Sequence, residues 1–224
     1  LELAGPPRQI PFQAPLRSRR FVNLVAAADG TIVYEIGPQL PESHLVWLDR
    51  GGKETTVSDQ AHGFDYARVS PTGDRIAEVI NGPDGTGRIW MYDVSRGQLS
   101  PISPLGPSYR SFTWAPDGRS LFALRTGDAP GIYRIAVDGG FTETLVHAPK
   151  TPWVAPHSVS PDGRFLAVTL WSLDTDKDWD IQIVPVDGPG PPVYFGKESA
   201  NEMFPVFSPD GQWLAYSSDR SGKE

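Results

Sequence analysis

Short stretches of alternating apolar and polar residues recur along the chain, each folded about a glycine. They read "AAADGTIVYE" (26–35), "VSPTGDRIAEV" (69–79), "WAPDGRSLFAL" (114–124), "SVSPDGRFLAV" (158–168) and "FSPDGQWLAYS" (207–217). The glycines Gly30, Gly73, Gly118, Gly163 and Gly211 stand 43, 45, 45 and 48 residues apart. Runs such as "SFTWA" (111–115) and "FPVFS" (204–208) precede the turn, and alternation follows it, so each copy predicts two antiparallel strands joined tightly. Asp-Gly supplies the positive φ and the preceding proline presets the turn. A polar loop then leads to a third predicted strand at 44–49, 88–94, 131–137 and 180–186. A weaker fourth follows at 53–58, 97–103, 141–147 and 191–196.

A four-stranded antiparallel unit repeated at roughly 40 to 50 residues specifies propeller blades, because a small sheet with two apolar faces buries them only against neighbouring sheets. The fold expected is therefore all-β, a β-propeller forming an incomplete ring of about five to six blades. It is expected to be a single domain over 1–224: a tail of a preceding blade at 1–20, whole blades at 21–63, 64–108, 109–153 and 154–201, and the start of another at 202–224. "RQIPFQAP" supplies that tail, since Gln9 lies as far before Gly30 as Gln98 lies before Gly118, within one residue. The pattern breaks off inside its last unit, which predicts a segment of a longer protein. Trp90, Phe112, Trp114 and Trp213 are expected in the core.

Composition changes this picture little. Twenty-three glycines and twenty-three prolines suit a turn-rich fold, and the absence of cysteine excludes disulfides and thiolate metal sites. A net charge of −7 repels polyanions, and the one basic stretch, "RSRR", reads as a solvated loop, so no nucleic-acid partner is expected. No apolar run reaches the ~18 residues of a membrane span.

The unit, with "SPDG" between two strands and "YSSDRSGKE" after the second, resembles the TolB-like, WD40-like (PD40) propeller repeat of bacteria across essentially the whole chain. More narrowly, "GTIVYEIGPQLPESHLVWLDRGGKE" (30–54) is similar to a segment of the C-terminal sensor propellers of bacterial transmembrane serine/threonine kinases. These resemblances imply a non-catalytic, extracytoplasmic module linked to another domain, acting as a sensor or interaction part of an envelope protein. Two other readings stay open: the substrate-gating propeller of a prolyl-oligopeptidase-like or Tricorn-like serine peptidase, and a TolB-type scaffold that docks proteins.

Chemistry-bearing motifs are few. The chain has no G-x-S-x-G elbow, H-E-x-x-H or P-loop, and its four histidines form no i, i+4 pair, so no catalytic residue is assigned. "NGPDGTGR" (81–88) has glycines without the dinucleotide spacing and reads as a loop between strands. Asp174, Asp176, Asp178 and Asp180 alternate along "LDTDKDWD" and could surround calcium, which takes six to eight oxygens. Trp179 and Pro185 fall where an EF-hand needs Gly and Glu, so a solvated hairpin loop is the plainer reading, and no other cofactor is expected. Propellers commonly bind at one mouth of the channel, where each outer strand leads into the next inner strand. The candidate rim for a protein, peptide or small ligand is therefore Arg19, Arg20, Phe64, Asp65, Tyr66, Tyr109, Arg110, Trp153, His157, Asn201 and Glu202.

Overall fold

The computed structural model describes residues 24–26, 32–36, 43–82, 85–151, 154–171, 179–187, 190–195 and 200–220. Every described element is a strand. The chain divides into two compact units, Leu1–Phe64 and Asp65–Glu224. In the first, β1 (Leu24–Ala26), β2 (Ile32–Ile36), β3 (His44–Leu48) and β4 (Glu54–Thr56) form one antiparallel sheet in that order. The Gly30 turn lies outside the described residues.

The second unit repeats the motif. β5 (Phe64–Val69), whose first residue ends the first unit, pairs with β6 (Arg75–Asn81), β7 (Gly87–Asp93) and β8 (Gln98–Pro101). β9 (Ser108–Trp114), β10 (Ser120–Thr126), β11 (Gly131–Ala136) and β12 (Glu143–His147) make the next sheet. β13 (Val154–Val159), β14 (Phe165–Trp171), β15 (Trp179–Pro185) and β16 (Val193–Phe195) make a third, and β17 (Glu202–Phe207) pairs with β18 (Leu214–Ser218). Each sheet runs in chain order, as the repeat predicts, and the sheets are not closed into a ring.

Alternation along β10 explains why these sheets stack. Leu121 and Ala123 point into one cluster with Ala77, Val79, Ile89, Phe112 and Trp114. Phe122 and Leu124 point into another with Val154, Leu166, Val168 and Val184. A strand buried on both faces reads as a nearly continuous apolar run, which is what "LFAL" is. The fourth strands carry the exposed edge: β4 and β16 are exposed throughout. Close approach of the sheets is visible at Gly87, where an added Cβ would come within 2.1 Å of the Tyr109 carbonyl oxygen. That explains one glycine of the 81–88 run: Gly87 opens β7 rather than lying in the loop.

Gly73, Gly118, Gly163 and Gly211 all sit at positive φ, between 66° and 77°, at the same point of four hairpins. The serine before the proline knits the turn. Ser160 Oγ accepts from the Phe165 N–H (2.9 Å) and donates to Asp162 (2.6 Å), which accepts from the Arg164 N–H (3.0 Å). Ser208, Asp210, Gln212 and Trp213 repeat this arrangement. Where the sequence reads "SPTGD", Asp74 takes over, bonded to Ser70 and Thr72. The hydroxyls, foremost Thr72 for Asp74, Ser160 for Asp162 and Ser208 for Asp210, hold these carboxyls below the usual range. Their contribution to stability is present at neutral pH and is lost as the pH falls through those lowered values. Ala115 stands in the serine position of the fourth hairpin, which keeps only the backbone bonds and the Asp117 cap.

One expected core residue lies elsewhere. Phe112 and Trp114 are buried and Trp90 half-buried, but Trp213 is 67% exposed. It precedes β18 in the two-stranded sheet, where no further sheet packs among the described residues, and Val206 and Tyr216 are exposed there too. Ala215 and Tyr216 are exposed where their equivalents on β14, Ala167 and Val168, are buried, whereas the equivalents of Trp213, namely Arg75, Ser120 and Phe165, are half-buried in their own sheets.

A buried carboxyl interrupts the apolar pattern: Glu78, on β6, is 2% exposed, and its Oε2 has no hydrogen-bond partner. Burial pushes it from 4.5 up to about 8.

Two outcomes follow from these contacts. Ser160→Ala strands the Phe165 N–H and is expected to lower the unfolding free energy by roughly 1–2 kcal/mol in urea melts. Because folded Glu78 keeps a proton that the unfolded chain releases, stability is full below pH 4.5 and declines as pH rises towards 8. Melting temperature should therefore fall between pH 6.5 and 8, and Glu78→Gln should flatten that decline; an unchanged slope would count against the buried proton.

Candidate functional site

The first strands of three sheets carry an irregularity at nearly the same distance from their turn glycines. The β9–β10 register shifts opposite Ala123–Arg125, the β13–β14 register between Pro156 and Ser158, and the β17–β18 register between Met203 and Val206. Such bulges re-aim side chains that a regular strand would send into a sheet face. His157 sits in the second and Phe204 in the third. Phe204 also has φ 58°, a left-handed conformation that a bulky side chain rarely adopts. Its N–H donates to Thr169 Oγ1 (3.2 Å) and the Phe207 N–H to Ser158 Oγ (3.1 Å), which fixes the strand against β13 and β14.

His157 meets Arg68 of β5, and Phe204 meets His157. Arg68 Nε donates to Tyr66 Oη (2.7 Å), its guanidinium lies 5.3 Å from the Tyr66 ring, and Nη1 donates to the His157 carbonyl oxygen (3.4 Å). The His157 and Phe204 rings meet edge to face at 5.6 Å, and Tyr66 meets Phe112 the same way at 5.2 Å. Arg68, Tyr66 and His157 are half-buried, while Phe204 is 47% exposed. Burial and then the Arg68 charge lower His157 to about 4, so the imidazole is neutral at pH 7. The arrangement is a chain of contacts across three sheets, from the Tyr66 ring and hydroxyl to Arg68, from Arg68 to the His157 carbonyl, and from the His157 ring to Phe204.

Of the residues expected at the rim, Tyr66 and His157 are brought together here. Tyr109 is fully buried, and its hydroxyl donates to Glu143, which also pairs with Arg125; burial and then the Glu143 carboxylate push its phenol up. Arg110 is exposed on β9. Asn201 and Glu202 form a clasp: Asn201 donates from its N–H and Nδ2 to the Asp219 carboxylate (2.8 and 2.6 Å) and accepts from the Trp179 N–H (3.2 Å). Glu202, fully buried, pairs with Arg220 at 3.1 Å. Phe64 packs edge to face on His62 (5.6 Å) within the first unit. Arg19, Arg20, Trp153 and the Asp65 side chain lie outside the described residues, as do Asp174, Asp176 and Asp178. Asp180 is buried within β15 rather than in a solvated loop, and no group of three or more metal-ligating side chains occurs among the described residues.

Sequence reasoning missed Arg68 and Phe204 as site residues. A signal existed: Tyr66 and Phe204 both stand seven residues before their turn glycines.

Four-stranded antiparallel sheets in chain order, each opened by a tight glycine hairpin and stacked face to face, are propeller blades, and they match the blades of TolB-like structures. Comparison with known proteins agrees on that class. The chain superposes on the structure of a putative TolB from Agrobacterium tumefaciens with a TM-score of 0.71, 20% identity, and coverage of 88% of this chain and 69% of that one. It matches a puromycin-hydrolysing peptidase of Mycobacterium tuberculosis with a TM-score of 0.66, 19% identity, and coverage of 91% and 35%. In sequence it is 29% identical over 203 residues to the uncharacterized peptidase YuxL of Bacillus subtilis strain 168, covering 73% of this chain and 30% of that protein. The chain thus spans less than a third of the length of this curated relative. No protein-family model matches the sequence. Among the described residues no helix is long and apolar enough to cross a membrane.

The strain at Phe204 yields a stability test. Phe204→Gly relieves a left-handed backbone that costs about 1–3 kcal/mol and gives up only a half-exposed ring, so its unfolding free energy should stay within about 1 kcal/mol of wild type or rise. Phe112→Ala, in the core, should lose about 3–5 kcal/mol in the same denaturant melts.

Proposed function

We propose that this chain is a non-catalytic propeller module that binds an extended peptide or protein segment at the ends of its inner strands. The observation that carries the reading is the run of contacts from Tyr66 through Arg68 and His157 to Phe204 across three sheets, with Phe204 half-exposed in a strained conformation. Strain retained at an exposed aromatic is a cost to the fold, and such outliers cluster at ligand clamps. Rigid aromatics beside an arginine are the composition of binding hot spots. In this reading the chain serves as the sensing or docking part of a larger extracytoplasmic protein, in keeping with the TolB-like resemblance, and its scaffold presents the site without chemistry of its own.

A second reading is favoured by the YuxL alignment: the same module gates substrate peptides for a peptidase domain elsewhere in the full-length protein. Both readings require peptide binding and differ in what happens next. Incubating the immobilised chain with a randomised heptapeptide library and sequencing the retained fraction should show enrichment that Phe204→Gly abolishes. Equal retention by both proteins would overturn the site. Cleavage of the enriched peptides by the full-length protein would select the gating role, and their survival the docking role.

A further inference from the structure

Arg68 differs from most other arginines of the described structure in what it faces. Arg75, Arg96, Arg125, Arg134, Arg164 and Arg220 each lie within salt-bridge distance of a carboxylate. Arg68 has no such partner among the described residues, although it is half-buried and bonded only to a phenol oxygen and a backbone carbonyl. A guanidinium carries five donors, and these contacts engage Nε and Nη1, while Nη2 bonds to none of the described residues. Tyr66 fixes the plane of the group through both its hydroxyl and its ring, so the unspent donors point in a set direction.

Among the described residues the surroundings add no negative charge. The neighbouring rings are Tyr66, whose hydroxyl accepts from Arg68, and His157, whose imidazole is uncharged at neutral pH; Phe204 closes the cluster with an apolar face. A partly desolvated positive charge in a chain of net charge −7, without a local counter-ion, is a preorganised receptor for a small anion. The planar fork matches a carboxylate, and the adjoining aromatic faces match an apolar group carried next to it.

We propose that Arg68 binds a peptide carboxylate and that Tyr66, His157 and Phe204 hold the apolar side chain beside it. This assignment deepens the peptide-binding reading and rests on it. The carboxylate can be a chain terminus or an acidic side chain; in either source the fork-to-fork pairing is the same.

Isothermal titration calorimetry on the full chain tests it with three synthetic peptides: acetyl-Gly-Gly-Ala-Leu-Phe as the free acid, the same peptide as its C-terminal amide, and acetyl-Gly-Glu-Phe-Gly-Gly amide. The free acid should bind at least about tenfold more tightly than the amide, and Arg68→Gln should erase that difference by weakening the acid about 10–100-fold. Tight binding of the glutamate peptide assigns the carboxylate to a side chain, and weak binding assigns it to a chain end. Should Arg68→Gln fail to fold by circular dichroism, Tyr66→Phe releases Nε and is expected to weaken the acid by about two- to fivefold. Acid and amide binding within twofold of each other on wild type, or an unchanged acid affinity in the arginine or tyrosine variant, overturns the carboxylate assignment. If acid and amide bind equally and both are lost in Phe204→Gly, peptide binding survives and only the Arg68 role falls. No binding of any peptide, together with no library enrichment, removes both.

Discussion

A sheet of four short strands has two apolar faces and too little area to protect either, so everything in this protein depends on sheets burying one another. β10 shows the constraint most directly, with Leu121 and Ala123 committed to the sheet before it and Phe122 and Leu124 to the sheet after it. The same constraint demands glycine at 87 where β7 approaches the Tyr109 backbone and leaves the fourth strands β4 and β16 exposed. Glu78, Asp180 and Glu202 are carboxyls buried on strands, and burial raises the pKa of Glu78. Beside β17 and β18, where no further sheet packs among the described residues, Ala215 and Tyr216 are exposed although their equivalents Ala167 and Val168 are buried.

The turns turn that repeat into a fixed geometry. Ser160, Asp162 and Gly163 divide the work: glycine takes the left-handed backbone, aspartate caps an N–H, and the serine hydroxyl ties the end of one strand to the start of the next. Substituting Thr72 and Asp74 for that pair preserves the network by moving the carboxylate two residues along. With hairpins set so tightly, irregularity accumulates on the inner strands instead, and their bulges turn His157 and Phe204 out of the sheet faces.

The cluster of Tyr66, Arg68, His157 and Phe204 is thus a by-product of stacking. Phe204 holds a backbone conformation suited to glycine, and Arg68 is half-buried without a partner acid among the described residues. Asn201 and Glu202, by contrast, look chemical in the sequence yet serve the scaffold, clasping Asp219 and Arg220 across β17 and β18. Tyr109 is likewise spent internally, on Glu143.

Local rules are legible in the chain alone: all-β character, four strands to a unit, the hairpin glycines at 73, 118, 163 and 211, and which face of each strand is apolar. They are legible because alternation, turn residues and period are properties of consecutive residues. Loss of alternation between units also singles out Tyr66 and His157, which the structure brings to the same arginine. That Arg68 and Phe204 join them is a matter of tertiary structure, because residues on β5, β13 and β17 become neighbours through the stacking of whole sheets, and bulges shift a side chain from one face to another without altering the residues that flank it. Burial of Tyr216 is likewise undecidable locally: its equivalent Val168 is buried on β14, and Tyr216 is exposed on β18, where no further sheet packs among the described residues.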